Sequence, residues 1–174
     1  TKAALLFDMV VSAASLQGIS WLEAAGAVAA ENQALRWISD AAGLPQTAGG
    51  AFVSGGSAGN LSALVVARDT GRRKLVEREG EQARHKRLRI VVSDQAHSSI
   101  KNTLSILDVD PLVVSTSDHR FTGEALQAAL DADSDPSSIV AVVATSGTTN
   151  AGIIDDLRGI GTIARERGLW FHVD

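Results

Sequence analysis

With 174 residues and no cysteine, the chain is sized for one domain and excludes disulfides, thiolate metal sites and a thiol nucleophile. Hydrophobic residues at 45% and charged residues at 21% are ordinary globular usage, which argues against disorder, and no apolar run reaches the roughly 18 to 20 residues a membrane span needs. The formal net charge of −4 is unevenly spread, since residues 68–89 hold nine of the 16 Lys and Arg but only four of the 20 Asp and Glu. Without interleaved aromatic residues or a nucleic-acid motif, that run reads as a solvated helix end and loop, and no nucleic-acid partner is expected.

The stretch Ala3–Leu16 is apolar but broken by Asp8 and has no basic leader, so neither a membrane segment nor a targeting signal is expected. A soluble, cytoplasmic protein is the expectation. From Trp21 to Ser39, Ala24, Val28, Leu35 and Ile38 share one helical face, and Gly43-Leu44-Pro45 stops the helix. This long amphipathic helix is expected to open the chain.

From residue 51 the pattern changes. Strands are predicted at Ala51–Ser54, Arg89–Ser93, Leu112–Thr116, Ile139–Thr145 and Leu169–Val173, separated by helices near Asn60–Arg68, Ser98–Leu107, Thr122–Asp131 and Asp156–Arg167. The last helix places Leu157, Ile160, Ile163 and Ala164 on one side and ends at Gly168. Ile139–Val143 is apolar on both faces, as a central parallel strand covered by helices must be. Strict alternation of strand and helix gives an α/β class, a mainly parallel sheet with helices on both faces.

In such sheets ligands bind beyond the carboxyl ends of the strands. Four segments carry chemistry there. Gly55–Asn60 joins a predicted strand to a helix, where glycines admit an anion close to backbone N–H groups, the helix start adds partial positive charge, and Ser57 offers a hydroxyl. A tight glycine turn with an ordinary cap is an equal reading of the same residues. The segment lacks the Lys-Ser/Thr ending of a P-loop and the spacing of a dinucleotide fingerprint.

Asp94–Ser99 places His97 at a helix start, either as a capping side chain or as a flat face and proton carrier beside a planar ligand. Thr145–Asn150 gathers hydroxyls that orient a ligand or only brace a turn. Asp174 puts a carboxylate at the end of an apolar strand, where a cationic partner is required, either an Arg or a protonated heterocycle. The four histidines, His85, His97, His119 and His172, include no i, i+4 pair, so no metal site is expected.

Together, Phe52–Asp69, Ser93–Ser99, Ala144–Asp155 and Trp170–Asp174 resemble the large domain of the group II pyridoxal-phosphate decarboxylases, which share the fold-type I, aminotransferase-like scaffold. The resemblance implies an N-terminal helical part over residues 1–50 and an incomplete cofactor-binding α/β large domain over residues 51–174. It implies pyridoxal 5′-phosphate as cofactor, with Ser57, Ala58 and Gly59 holding the phosphate, His97 stacked on the ring and assisting proton transfer, Thr149 near the ring, and Asp174 paired with the ring nitrogen. His97 and Asp174 are the implied catalytic residues. The implied reaction is decarboxylation of an L-amino acid, in a homodimer.

Two departures accompany the resemblance. Gly59 stands where many relatives carry a hydroxyl residue. The lysine that holds the cofactor lies downstream of the aspartate in this family, whereas Lys2, Lys74, Lys86 and Lys101 all precede Asp174. The chain is therefore expected to be part of a longer polypeptide. Other fold-type I reactions (transamination, desulfuration, phospholyase cleavage) and a non-catalytic scaffold are the alternatives, and Asp94–Ser99 favours the decarboxylases.

Overall fold

The computed structural model describes residues 1–174, which divide into two compact units, Thr1–Phe52 and Val53–Asp174. In the first unit, helix α1 (Lys2–Ala14) begins where the Thr1 hydroxyl accepts the Ala4 N–H at 3.2 Å, and it ends at Ser15 in the left-handed region. None of its residues is buried. This helix precedes the one predicted to open the chain, because the apolar run broken by Asp8 is itself long enough for three turns.

Helix α2 (Trp21–Ala41) extends two residues beyond the predicted end and is kinked at Ala24. The Arg36 guanidinium secures its exit, donating to Asp40 at 3.0 Å and to the carbonyl of Gln46 at 3.2 Å.

The second unit runs α3 (Gly56–Glu79), a 3-10 turn at Glu81–His85, β1 (Arg89–Ser93), α4 (Ser98–Leu107), β2 (Asp110–Val114) and α5 (Gly123–Asp131), then a 3-10 turn at Pro136–Ser138, β3 (Ile139–Ala144), α6 (Leu157–Glu166) and β4 (Trp170–Val173). All four strands are parallel, in the order β2-β1-β3-β4. Helices α3 and α4 cover one face over Ile90, Val92 and Val143. Helices α5 and α6 cover the other over Val91, Val142 and Ala144. Every residue of β3 is buried, as its continuous apolar run requires.

A register shift between Arg89 and Ile90 leaves one extra residue, Val140, on β3. There α3 approaches the strand so closely that a Cβ on Gly71 would overlap the Val140 side chain. A glycine in mid-helix, normally unfavourable by about 1 kcal/mol, is the condition for that contact.

Three elements depart from expectation. Ala51–Ser54 forms no strand, for it pairs with no neighbour. Helix α3 continues past Arg68 to Glu79, since its Arg, Lys and Glu residues are good helix formers and no cap intervenes before Gly80. Strand β2 starts two residues early and includes Pro111, which the sheet tolerates because β2 is an edge strand with an unpaired side.

The basic run is spent at the amino ends of the strands. Arg89 donates to both oxygens of Asp133, at 2.5 and 2.7 Å, and Lys86 reaches Asp135 at 2.8 Å. Arg87 pairs with Asp108 and Asp110, and Arg72 donates to the Lys86 carbonyl.

Candidate active site

The four segments marked in the sequence converge at the carboxyl ends of the strands on a cleft of about 280 Å³, lined among others by Ser57, Asn60, His97, Thr149 and Asp174. One wall is the start of α3. Gly55 precedes it with φ 155°, and the first intrahelical bond runs from the Gly59 N–H to the Gly55 carbonyl at 3.1 Å. The N–H groups of Gly56, Ser57 and Ala58 are therefore uncommitted, and the exposed Ser57 hydroxyl lies beside them. Gly56 and Ser57 line the cleft; Ala58 and Gly59 stand one step behind, and a Cβ on Gly59 would meet Val53 Cγ2 at 3.5 Å.

His97 caps α4, its Nδ1 accepting the Ser99 N–H at 3.2 Å and lying 2.8 Å from the Ser99 hydroxyl. The neighbouring Asp94 carboxylate accepts from the Thr116 hydroxyl at 2.7 Å and the Thr116 N–H at 3.2 Å. Those bonds, the hydroxyl first, hold its pKa below the usual carboxylate range.

The loop after β3 is braced by Asp155, which is 2% exposed and accepts the N–H groups of Thr145 at 2.7 Å and Phe121 at 2.8 Å. Within the loop, the Thr148 hydroxyl accepts the Ile153 N–H at 3.1 Å. Thr149 is exposed and makes no hydrogen bond within the chain, so its hydroxyl is free toward the cleft. A second hollow of about 460 Å³ adjoins the first and shares His97 and Thr149 with it, and His119 also lines it.

Asp174 closes the constellation. Its backbone is locked to β3, donating to the Ala144 carbonyl at 2.9 Å and accepting the Ser146 N–H at 2.7 Å. Its Oδ1 accepts from the Asn60 amide at 3.1 Å, and no Lys or Arg forms an ion pair with it. None of the four lysines lines the cleft.

Three residues of the site lie in the segments marked in the sequence but had no role assigned there. Asn60, 5% exposed, donates to Asp174 and, at 3.1 Å, to the Ser99 hydroxyl, while its Oδ1 lies 2.8 Å from His172 Nε2. Burial lowers the His172 pKa, against an opposing pull from Asp174, so this imidazole is neutral near pH 7. These contacts link residues 39, 112 and 114 positions apart, which no local pattern could show.

The arrangement has an electrostatic shape. Uncommitted N–H donors on one wall suit a phosphate, and a carboxylate without a protein cation on the other suits a protonated ring nitrogen. The donor set of the cleft thus fits pyridoxal phosphate.

Comparison with known proteins follows the same line. Residues 2–174 match the family profile described as the pyridoxal-dependent decarboxylase conserved domain. An L-2,4-diaminobutyrate decarboxylase of Rhizobium meliloti is 34% identical across 98% of this chain and 34% of its own length. An aromatic-L-amino-acid decarboxylase of Bos taurus is 36% identical across 98% of this chain and 38% of its own length. Among solved structures, mouse CSAD in apo form superposes with a TM-score of 0.87 at 28% identity, covering 100% of this chain and 37% of that one. Oryza sativa TDC with PLP and tryptamine superposes with a TM-score of 0.85 at 25% identity, covering 100% and 40%. The chain thus spans little more than a third of the length of these relatives.

Proposed function

The chain belongs to the pyridoxal-dependent decarboxylase family, and from that membership we propose that the polypeptide carrying it removes the carboxyl group of an L-amino acid, using pyridoxal 5′-phosphate held in the cleft. The observation that carries the proposal is Asp174, a carboxylate at a strand end that has an amide partner but no cation, facing a helix start with free donors. When bound, the cofactor supplies the electron sink for the pair released as carbon dioxide departs.

The chain's own residues do the rest. The Ser57 hydroxyl and the free N–H groups of Gly56, Ser57 and Ala58 would hold the phosphate, with Gly59 closing the turn behind them and the helix dipole adding to the attraction. Asp174 would keep the ring nitrogen protonated, by the effect through which a nearby opposite charge favours the charged form. His97 would lie against the ring face and hand a proton to the substrate carbon, and the free Thr149 hydroxyl would orient the ring. The adjoining hollow beside His97 and His119 gives room for the rest of the amino acid. Names of relatives span aromatic and diamino substrates, which sets the proposal at the level of an L-amino acid.

We further propose a cytoplasmic homodimer. No helix is long and apolar enough to cross a membrane, and α1 leaves Phe7 70% and Leu6 62% exposed, apolar area suited to a second copy. The test of the reaction is to supply the full polypeptide with pyridoxal phosphate and a panel of L-amino acids, measuring carbon dioxide and amine. Keto-acid or sulfide product without carbon dioxide would reject decarboxylation.

A further inference from the structure

We propose that Asn60 is a positioning residue that places the His97 imidazole proton on Nε2 and at the same time aims the Asp174 carboxylate, through one directed chain of hydrogen bonds. The proposal rests on reading the cleft as the cofactor site and names a device within it.

The chain runs outward from Asp174. Its carboxylate can only accept, so the Asn60 amide turns its NH₂ toward Oδ1 at 3.1 Å. The second hydrogen of that NH₂ goes to the Ser99 hydroxyl oxygen at 3.1 Å, which fixes the hydroxyl as an acceptor on that side. The hydroxyl proton is thereby turned toward His97 Nδ1, 2.8 Å away, and the Ser99 N–H, 3.2 Å from the same nitrogen, points the same way. The amide oxygen is left facing His172 Nε2 at 2.8 Å, and this ring nitrogen carries a proton to donate.

The result is a neutral His97 whose free nitrogen, Nε2, is a donor. Asn60 is 5% exposed and Ser99 6%, so water does not replace a missing partner at either position. The amide is the branch point. It alone touches Asp174, Ser99 and His172, and through Ser99 it reaches His97. An apolar residue of the same size would unhook His97 and Asp174 together, whereas loss of the Ser99 hydroxyl would unhook only His97.

The experiment uses the full polypeptide, cofactor-free, labelled with 15N-histidine, with His97→Gln to assign the ring signals. Wild type is expected to show an unprotonated Nδ1 and a protonated Nε2 on His97. Asn60→Leu and Ser99→Ala should each move His97 toward a tautomer mixture, and the exposed Ser98→Ala should not. Titration with pyridoxal phosphate should then show affinity weakened roughly tenfold in Asn60→Leu, the scale of one lost bond to a charged group, and little changed in Ser99→Ala.

A wild-type His97 protonated on Nδ1 would overturn the proposal, as would folded Asn60→Leu with unchanged tautomer. A changed tautomer with unchanged affinity would overturn the Asp174 half. If Asn60→Leu does not fold, Ser99→Ala and the wild-type spectrum still decide the tautomer. If wild type fails to bind pyridoxal phosphate, the cofactor reading fails, while the tautomer comparison, made without cofactor, still judges the chain of bonds.

Discussion

The two ends of the same parallel sheet are built on opposite principles. At the amino ends of the strands, charges are spent on each other, with Arg89 on Asp133, Lys86 on Asp135 and Arg87 on Asp108 and Asp110. At the carboxyl ends, polar groups are left with capacity to spare, including the first N–H groups of α3, the Thr149 hydroxyl and a carboxylate at Asp174 with no cation. The same four strands run through both ends, so the difference lies in the segments joined to them and in which side chains find partners within the chain. Satisfied polar groups hold a fold together; unsatisfied ones are available to a ligand.

The largest expected effect tests that contrast at its sharpest point. Asp174→Ala in the full polypeptide should lower turnover by about 10²-fold or more, the scale of removing one preorganised electrostatic partner, while urea stability falls by only about 1 kcal/mol for the one Asn60 amide hydrogen left without its acceptor. Unchanged turnover would end the assignment of Asp174. At the same end of the sheet, Asp155→Ala should act in the opposite manner. It strands two buried N–H groups, those of Thr145 and Phe121, and should cost about 3 kcal/mol in urea unfolding, because each orphaned group costs about 1–3 kcal/mol. A loss below about 1 kcal/mol would show that water reaches the loop.

What the sequence shows on its own follows the same division. The continuous apolar run of β3 and the helical period of α6 are local patterns, and both elements formed where they were predicted. Phe52-Val53 looked like a strand because apolar β-forming residues are visible in sequence, whereas a pairing partner is not. The predicted strand Leu112–Thr116 leaves out Pro111, a residue a strand accepts at an edge, and only the sheet order reveals that β2 lies there. The site divides likewise. Ser57, His97, Thr149 and Asp174 stood out through short motifs and line one cleft, while Asn60, Ser99 and His172 act through bonds between distant segments.

Two smaller effects belong to the amino-end half of the sheet. Gly71→Ala forces a methyl against Val140 and should destabilise by about 2 kcal/mol, despite alanine's better helix propensity, as overpacked cores do. A neutral or stabilising outcome would mean that α3 can lift from the bulge. Arg89→Met, which leaves the 8%-exposed Asp133 side chain without its guanidinium, should cost about 1–2 kcal/mol and leave turnover unchanged. Loss of turnover there would blur the contrast between the two ends.

The smallest effect is a pH dependence. The Arg89 hydrogen bonds, followed by the Asp135 N–H, hold the Asp133 carboxyl below its usual range. Its folded pKa lies under its unfolded value near 3.9, so its contribution is complete above that value and lost as pH falls through the folded one. Wild type should therefore exceed Asp133→Asn in urea midpoint at pH 7, and the gap should shrink as pH falls below about 4. A gap independent of pH would remove the ionic part of this pairing.

The most direct measurement of the central claim is a crystal structure of the full polypeptide grown with pyridoxal 5′-phosphate. The expected density places the phosphate on the free N–H groups of Gly56, Ser57 and Ala58 and the ring nitrogen against the Asp174 carboxylate in one molecule. A cofactor bound elsewhere, or one that reaches the helix start while its ring nitrogen faces away from Asp174, would contradict the account.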